Sequence, residues 1–172
     1  MRTVTKIGIL SDTHGYLNPN AFEFFKDCDE IWHAGDIVDS FVLDELQAIA
    51  PVVRAVYGNC DDWDIRGEVP EKQVFQCENH TVAMMHIVGY PGKYQPAALE
   101  LIREARPTIL IAGHSHILKV MNDKQHNLLF INPGAAGRYG LHTRLTMVRL
   151  QINGDNISNL EIYDEPKLQP VK

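Results

Sequence analysis

Little in this sequence would staple a chain together covalently. It has three cysteines, Cys28, Cys60 and Cys77. An odd, scattered count argues against a disulfide framework. No CxxC pair is present, which argues against a thiolate zinc site. Long apolar runs are also missing. No stretch reaches the roughly 18 residues that a membrane helix needs. The opening MRTVTKIGILSDTHG has no apolar run followed by a small-residue cleavage site. The expectation is no membrane association and a cytoplasmic protein. Positive charge is short, with 16 Lys and Arg against 22 Asp and Glu and a formal net charge of -6. Such a surface does not attract nucleic acid or anionic membrane by general electrostatics. There is no internal repeat, low-complexity tract or interdomain linker. The 172 residues fit one domain, 1–172, large enough for a real core. The last residues, EPKLQPVK, are expected to fray.

What is present has a regular order. Val4 to Leu10 reads as a buried strand followed by turn-type residues. A helix is expected over Asn20 to Lys26, a strand over Glu30 to His33 and an amphipathic helix over Asp39 to Ala50, stopped by Pro51. Val52 to Tyr57 is a third strand. This β-α-β-α-β order is that of a parallel sheet covered by helices. Gln73 to Cys77 and Thr81 to Met85 read as a hairpin, so the sheets should be mixed. A helix over Pro96 to Arg106 precedes a strand over Thr108 to Ala112. Short strands follow at Ile117 to Met121, Leu128 to Ile131, Arg144 to Ile152 and Ile157 to Tyr163, with Asn153-Gly154 as a turn signal.

The residues after the strands carry the chemistry. KIGIL is followed by Ser11-Asp12-Thr13-His14-Gly15, EIWHA by Gly35-Asp36, and VVRAVY by Gly58-Asn59-Cys60-Asp61. VAMM ends in His86, and TILIA is followed by Gly113-His114-Ser115-His116. Ligands of open α/β sheets bind at the carboxyl ends of strands. The candidates are therefore Asp12, His14, Asp36, Asn59, His86, His114 and His116. Each motif alone has a bland reading as a turn or a core histidine, and His-x-His is the least easily explained that way. Their joint occurrence at five strand ends points to a metal site. Seven ligands are too many for one four-coordinate ion and suit two ions sharing a carboxylate. Imidazole favours transition metals over magnesium. Two such ions can clamp a phosphoryl group and acidify a water. They would also supply the local positive charge that the chain lacks.

As a set these motifs resemble the calcineurin-like metallophosphoesterase superfamily. The short length, Asp12-Thr13-His14-Gly15, Gly58-Asn59-Cys60-Asp61 and Asn132-Pro133-Gly134 look like its compact bacterial and archaeal phosphodiesterase branch, to which a eukaryotic retromer subunit is similar. The resemblance runs from Lys6 to about Tyr163. It implies an α/β fold, a four-layer α-β-β-α sandwich with mixed sheets. It implies one metal on Asp12, His14 and His116, another on Asn59, His86 and His114, Asp36 bridging them, and a metal-bridging hydroxide attacking phosphorus in line. The expected catalytic set is Asp36, Asn59, His86 and His116. The expected activity is a phosphodiesterase acting on a small phosphate ester. Manganese is the expected ion, with nickel, cobalt, zinc or iron as alternatives. Relatives suggest a homodimer or homotetramer.

The chain also departs from the pattern. Cys60 stands where many members place a histidine that protonates the leaving group, which leaves water or Asp61 to supply that proton. His86 is followed by Ile87-Val88-Gly89 rather than by glycine at once. Leu118 stands at the proline position of the pattern Gly-His-x-His-x-Pro. His33, His80, His126 and His142 match no ligand position and are read as structural or surface residues. Arg138 is placed to meet a phosphate or to form a surface salt bridge. Two other readings stay open: a non-catalytic metal-binding scaffold of the same fold, and a nuclease. Complete ligands weigh against the first. The lack of a basic patch with interleaved aromatics weighs against the second.

Overall fold

A computed structural model describes residues 4–168. Two five-stranded mixed sheets form its centre. The first contains β1 (Thr5–Leu10), β2 (Glu30–His33), β3 (Val52–Ala55), β11 (Arg144–Asn153) and β12 (Asn156–Pro166), in the order β12-β11-β1-β2-β3. β1, β2 and β3 run parallel, and β11 and β12 are antiparallel additions. The second contains β4 (Lys72–Cys77), β5 (His80–Met85), β8 (Ile109–Ile111), β9 (Leu118–Asp123) and β10 (Leu128–Pro133), in the order β4-β5-β8-β10-β9. Here β5, β8 and β10 run parallel between antiparallel edges. A small hairpin, β6 (Gly89–Tyr90) with β7 (Lys93–Tyr94), lies outside both sheets.

The central strands are buried along nearly their whole length because both faces of each sheet are covered. Ile7, Ile9 and Trp32 of the first sheet meet Met84, Ile109 and Ile131 of the second in a buried apolar layer between them. On the outer face of the first sheet pack α1 (Asn20–Phe25), α2 (Phe41–Ile49) and α3 (Trp63–Glu68), through Phe25, Leu46 and Ile65. On the outer face of the second packs α4 (Pro96–Ala105), through Ala98, Leu101 and Ile102. This is the expected four-layer α-β-β-α sandwich.

The elements expected from the sequence are present with shifted ends. α2 begins two residues later than predicted, because Asp39 accepts the Phe41 N–H at 3.0 Å and shapes a turn before the helix. The last hairpin turns at Gly154-Asp155, since Asn153 already pairs with Asn156. α3 and the β6–β7 hairpin are additions to the predicted set. Of the tail expected to fray, Glu165 and Pro166 belong to β12, and residues 169–172 lie outside the described residues. Among the described residues no helix is long and apolar enough to cross a membrane.

Candidate metal centre

The parallel strands of both sheets deliver their carboxyl ends to one rim. β1 leads to Asp12 and His14, β2 to Asp36, β3 to Asn59, β5 to His86, and β8 to His114 and His116. Backbone bonds lash these loops together. Asp12 N–H donates to Gly35 O at 2.9 Å, His14 N–H to Asp36 O at 3.0 Å, Gly113 N–H to His86 O at 3.0 Å and Gly137 N–H to Asp12 O at 3.0 Å. The price is conformational. Five of the seven predicted ligands have positive φ: Asp12 (55°), His14 (47°), Asp36 (56°), His114 (68°) and His116 (57°). Each such non-glycine residue costs roughly 1 kcal/mol or more and persists only when its surroundings dictate it. Two glycines permit the close approach. A Cβ on Gly58 would sit 2.1 Å from Asp36 Oδ1, and one on Gly113 would sit 2.2 Å from Ser11 Oγ.

Both carboxylates are buried, and each has one oxygen held. Asp12 Oδ2 accepts from Ser11 Oγ at 2.6 Å and from the His114 N–H at 3.1 Å. Its Oδ1 faces His116 Nε2 at 3.1 Å, His86 Nε2 at 3.9 Å and His14 Nε2 at 4.0 Å. Asp36 Oδ1 accepts the Cys60 N–H at 2.8 Å. Its Oδ2 faces His86 Nε2 at 3.4 Å and His14 Nε2 at 3.6 Å. Asp12 Oδ1, His14 Nε2 and His86 Nε2 are buried and have no hydrogen-bond partner among the described residues. Buried polar atoms are normally satisfied. Three orphans gathered about the Asp12 and Asp36 carboxylates are what a cation-binding pocket requires, so the residues present fit metal ions. The ligand atoms of Asp12, His14 and His116 all lie within 4.8 Å of one another, as do those of Asp12, Asp36 and His86.

The histidines are oriented from behind. His86 Nδ1–H donates to Ala34 O at 2.7 Å, leaving Nε2 with its lone pair inward. His116 is held by His142. His142 Nε2–H donates to Gly137 O at 2.8 Å, so its Nδ1 accepts from His116 Nδ1–H at 3.0 Å. His116 Nε2 then faces Asp12 as an acceptor. Burial pulls the His14 pKa down, and Asp36 and Asp12 only partly oppose it. Burial also acts on His86, but the nearby Asp36 carboxylate, with the charge of Asp12, outweighs it and raises its pKa. Burial pushes the Asp36 carboxyl up, yet His86 and the Cys60 amide hold it well below the usual range.

The structure brings Asp12, His14, Asp36, His86 and His116 into one cluster. His114 and Asn59 stand at its exposed side. The His114 ring lies 5.3 Å from that of His86, and Asn59 Nδ2 donates to Cys60 Sγ at 3.4 Å. Some expectations change. Asp61 is no free acid: its Oδ1 accepts Val38 N–H at 2.6 Å and its Oδ2 accepts Gly58 N–H at 2.7 Å, so a proton there would break a loop bond. His142 contacts a candidate ligand, which its unremarkable spacing in the sequence does not signal. His33 is structural: its Nδ1 accepts from Gly35 N–H at 3.1 Å and its Nε2 meets Thr13 Oγ1 at 2.9 Å. His80 bonds Thr108, and His126 pairs with Asp123. Arg138 forms no salt bridge among the described residues; it lies 4.2 Å over the Tyr16 ring, beside Tyr139, whose ring is 4.8 Å from His14. The β6–β7 hairpin occupies the chain after Ile87 and Val88.

Residues 5–155 match the family model described as the calcineurin-like phosphoesterase superfamily domain. A probable metallophosphoesterase of Methanothermobacter thermautotrophicus is 31% identical over 159 residues, covering 88% of each chain. A phosphodiesterase of Methanocaldococcus jannaschii is 30% identical over 150 residues, covering 78% of this chain and 86% of its own. Among solved structures, Vps29 of Entamoeba histolytica superposes with a TM-score of 0.75 at 18% identity, over 94% of this chain and 99% of that one. At that identity the likeness concerns the fold alone.

Proposed function

The chain belongs to the calcineurin-like phosphoesterase superfamily, and on that premise we propose that it is a phosphodiesterase working with two divalent transition-metal ions. The observation that carries this reading is the convergence of Asp12 Oδ1, His14 Nε2 and His86 Nε2, all buried and all unpartnered among the described residues. Asp12, His14 and His116 would hold one ion. Asn59, His86 and His114 would hold the other. Asp36 would serve both, because Oδ2 faces His14 of one set and His86 of the other. When bound, such ions withdraw charge from phosphoryl oxygens and acidify the attacking water. The diester preference is supported by the M. jannaschii relative's name.

The chain's own residues make the pocket ready. The Cys60 amide and Ser11 hydroxyl fix one oxygen of each carboxylate, so the other oxygen cannot rotate away. Ala34 O and His142 fix the tautomers of His86 and His116, as outer partners of metal-binding histidines generally do. Preorganised groups of this kind supply charge stabilisation without reorganising during reaction. Burial, then the charge of Asp36, raises the Cys60 thiol to about 11. In the metal-free protein it therefore stays a thiol at neutral pH. With Asp61 committed to the loops, solvent supplies the proton to the departing oxygen. Substrates with good leaving groups are favoured accordingly.

The test strips the protein of metal and assays an aryl phosphodiester and an aryl phosphomonoester, with Mn²⁺, Ni²⁺, Co²⁺, Zn²⁺ and Mg²⁺ restored singly. We expect metal-dependent turnover, faster on the diester, with at least a 100-fold loss (roughly 2.7 kcal/mol) in Asp36→Asn and His116→Ala. Folded protein without turnover under any ion would reject the reading.

A further inference from the structure

One wall of the candidate centre opens into a cavity of about 230 Å³, lined among others by Tyr57, Asn59, Arg66, Glu71, His86 and Ile87. Asn59 and His86 tie this cavity to the centre. Arg66, on α3, gives it its chemistry. Its guanidinium is held from two sides. Nε donates to Asp61 O at 2.8 Å, and the group lies 4.8 Å over the Tyr57 ring. The side chain is half-buried. Among the described residues no carboxylate lies within 4.0 Å of it: Glu71 shares the cavity from an exposed position but forms no ion pair with it.

That combination is unusual in a chain with net charge -6. Half-burying a cation without an anionic partner costs free energy. An arginine fixed by stacking and by its Nε presents its terminal N–H groups as a preset fork, which suits carboxylate and phosphate oxygens. We infer that this cavity is a substrate subsite that takes one arm of the phosphodiester and selects arms carrying a second oxyanion. Arg66 grips that oxyanion while the scissile phosphate lies beside Asn59 and His86. The inference rests on the phosphodiesterase reading above and narrows it to diesters with a second anionic group, a carboxylate or a phosphate, at the far end.

The test uses 4-nitrophenyl alkyl phosphodiesters whose alkyl arm ends in methyl, carboxylate or phosphate. Each is made with two and with four carbons, so that reach does not limit the comparison. The readout is the ratio of kcat/KM for a charged arm to that for the methyl arm, in manganese-loaded protein. This ratio divides out general damage to the centre. We expect a ratio above one in the wild type. In Arg66→Gln it should fall on the order of 10- to 100-fold, the worth of a hydrogen bond to a charged group. Arg66→Lys should give a smaller fall, since charge remains without the stacked fork, and it serves if the glutamine variant does not fold. The oxyanion with the larger wild-type ratio identifies the arm. Turnover of all three series with a ratio unchanged by either variant would overturn the subsite alone. No turnover of any of them would remove the phosphodiesterase reading, and the subsite with it.

Discussion

At the scale of the residue, the candidate centre depends on side chains that are not themselves candidate ligands. His116 presents Nε2 because His142 occupies its Nδ1, and His142 in turn is fixed by Gly137 O. Replacing His142 with alanine should lower metal affinity roughly 10- to 100-fold, the usual worth of such an outer partner. Calorimetric titration of stripped protein with Mn²⁺ measures it, and an unchanged affinity would deny His142 this role. His33 makes a second prediction. Full burial lowers its pKa to about 4, and the Gly35 N–H on its Nδ1 suits only the neutral ring. The unfolded chain takes up this proton near pH 6.5 and the folded chain does so only near 4. The folded state is therefore at full advantage above about 6.5 and loses stability as pH falls towards 4, by on the order of 3 kcal/mol. Denaturant unfolding with chelator present, across that window, should show a shallower loss in His33→Gln. Equal slopes in the two proteins would contradict the assignment.

At the scale of the element, the loops after the strands do more than the strands themselves. Gly58 ends the segment after β3, and a Cβ there would meet Asp36 Oδ1 at 2.1 Å and Asp36 N at 2.6 Å. Gly58→Ala should therefore cost roughly 1–3 kcal/mol, as overpacking does, and should lower metal uptake more than a distant core change of equal cost. Thermal melts and bound-metal analysis of the two variants separate these effects. The longer strands and α2 and α4 are legible in the sequence because burial on one or both faces imposes apolar periods. α3 is not: it has six residues, WDIRGE, with a glycine inside and one fully buried side chain, Ile65. Its signal lies in Asp62, which accepts the Asp64 and Ile65 N–H groups as an N-cap. The two-residue strands of the β6–β7 hairpin are too short to carry any period.

At the scale of the molecule, the seven candidate ligands are legible as strand-end residues, but their meeting is not. It depends on the orders β12-β11-β1-β2-β3 and β4-β5-β8-β10-β9, which long-range pairing sets and no local pattern records. β1, β2 and β3 bring Asp12, Asp36 and Asn59 to one rim. β5 and β8 bring His86, His114 and His116 to the same rim from the facing sheet. His142 joins them only because the chain after β10 returns across β1, with Ala136 and Gly137 bonded to Ser11 and Asp12. Arg66 escapes a sequence reading for the same reason, since its cavity lies between α3 and the residues after β5. The fold thus spends backbone strain and buried charge at one rim, and bound ions would offset both. Metal stoichiometry tests this most directly: equilibrium dialysis of stripped wild-type protein and Asp36→Asn against Mn²⁺, followed by elemental analysis. The account predicts two ions per wild-type chain and one or fewer in the variant, whereas folded wild-type protein that retains no ion would contradict it.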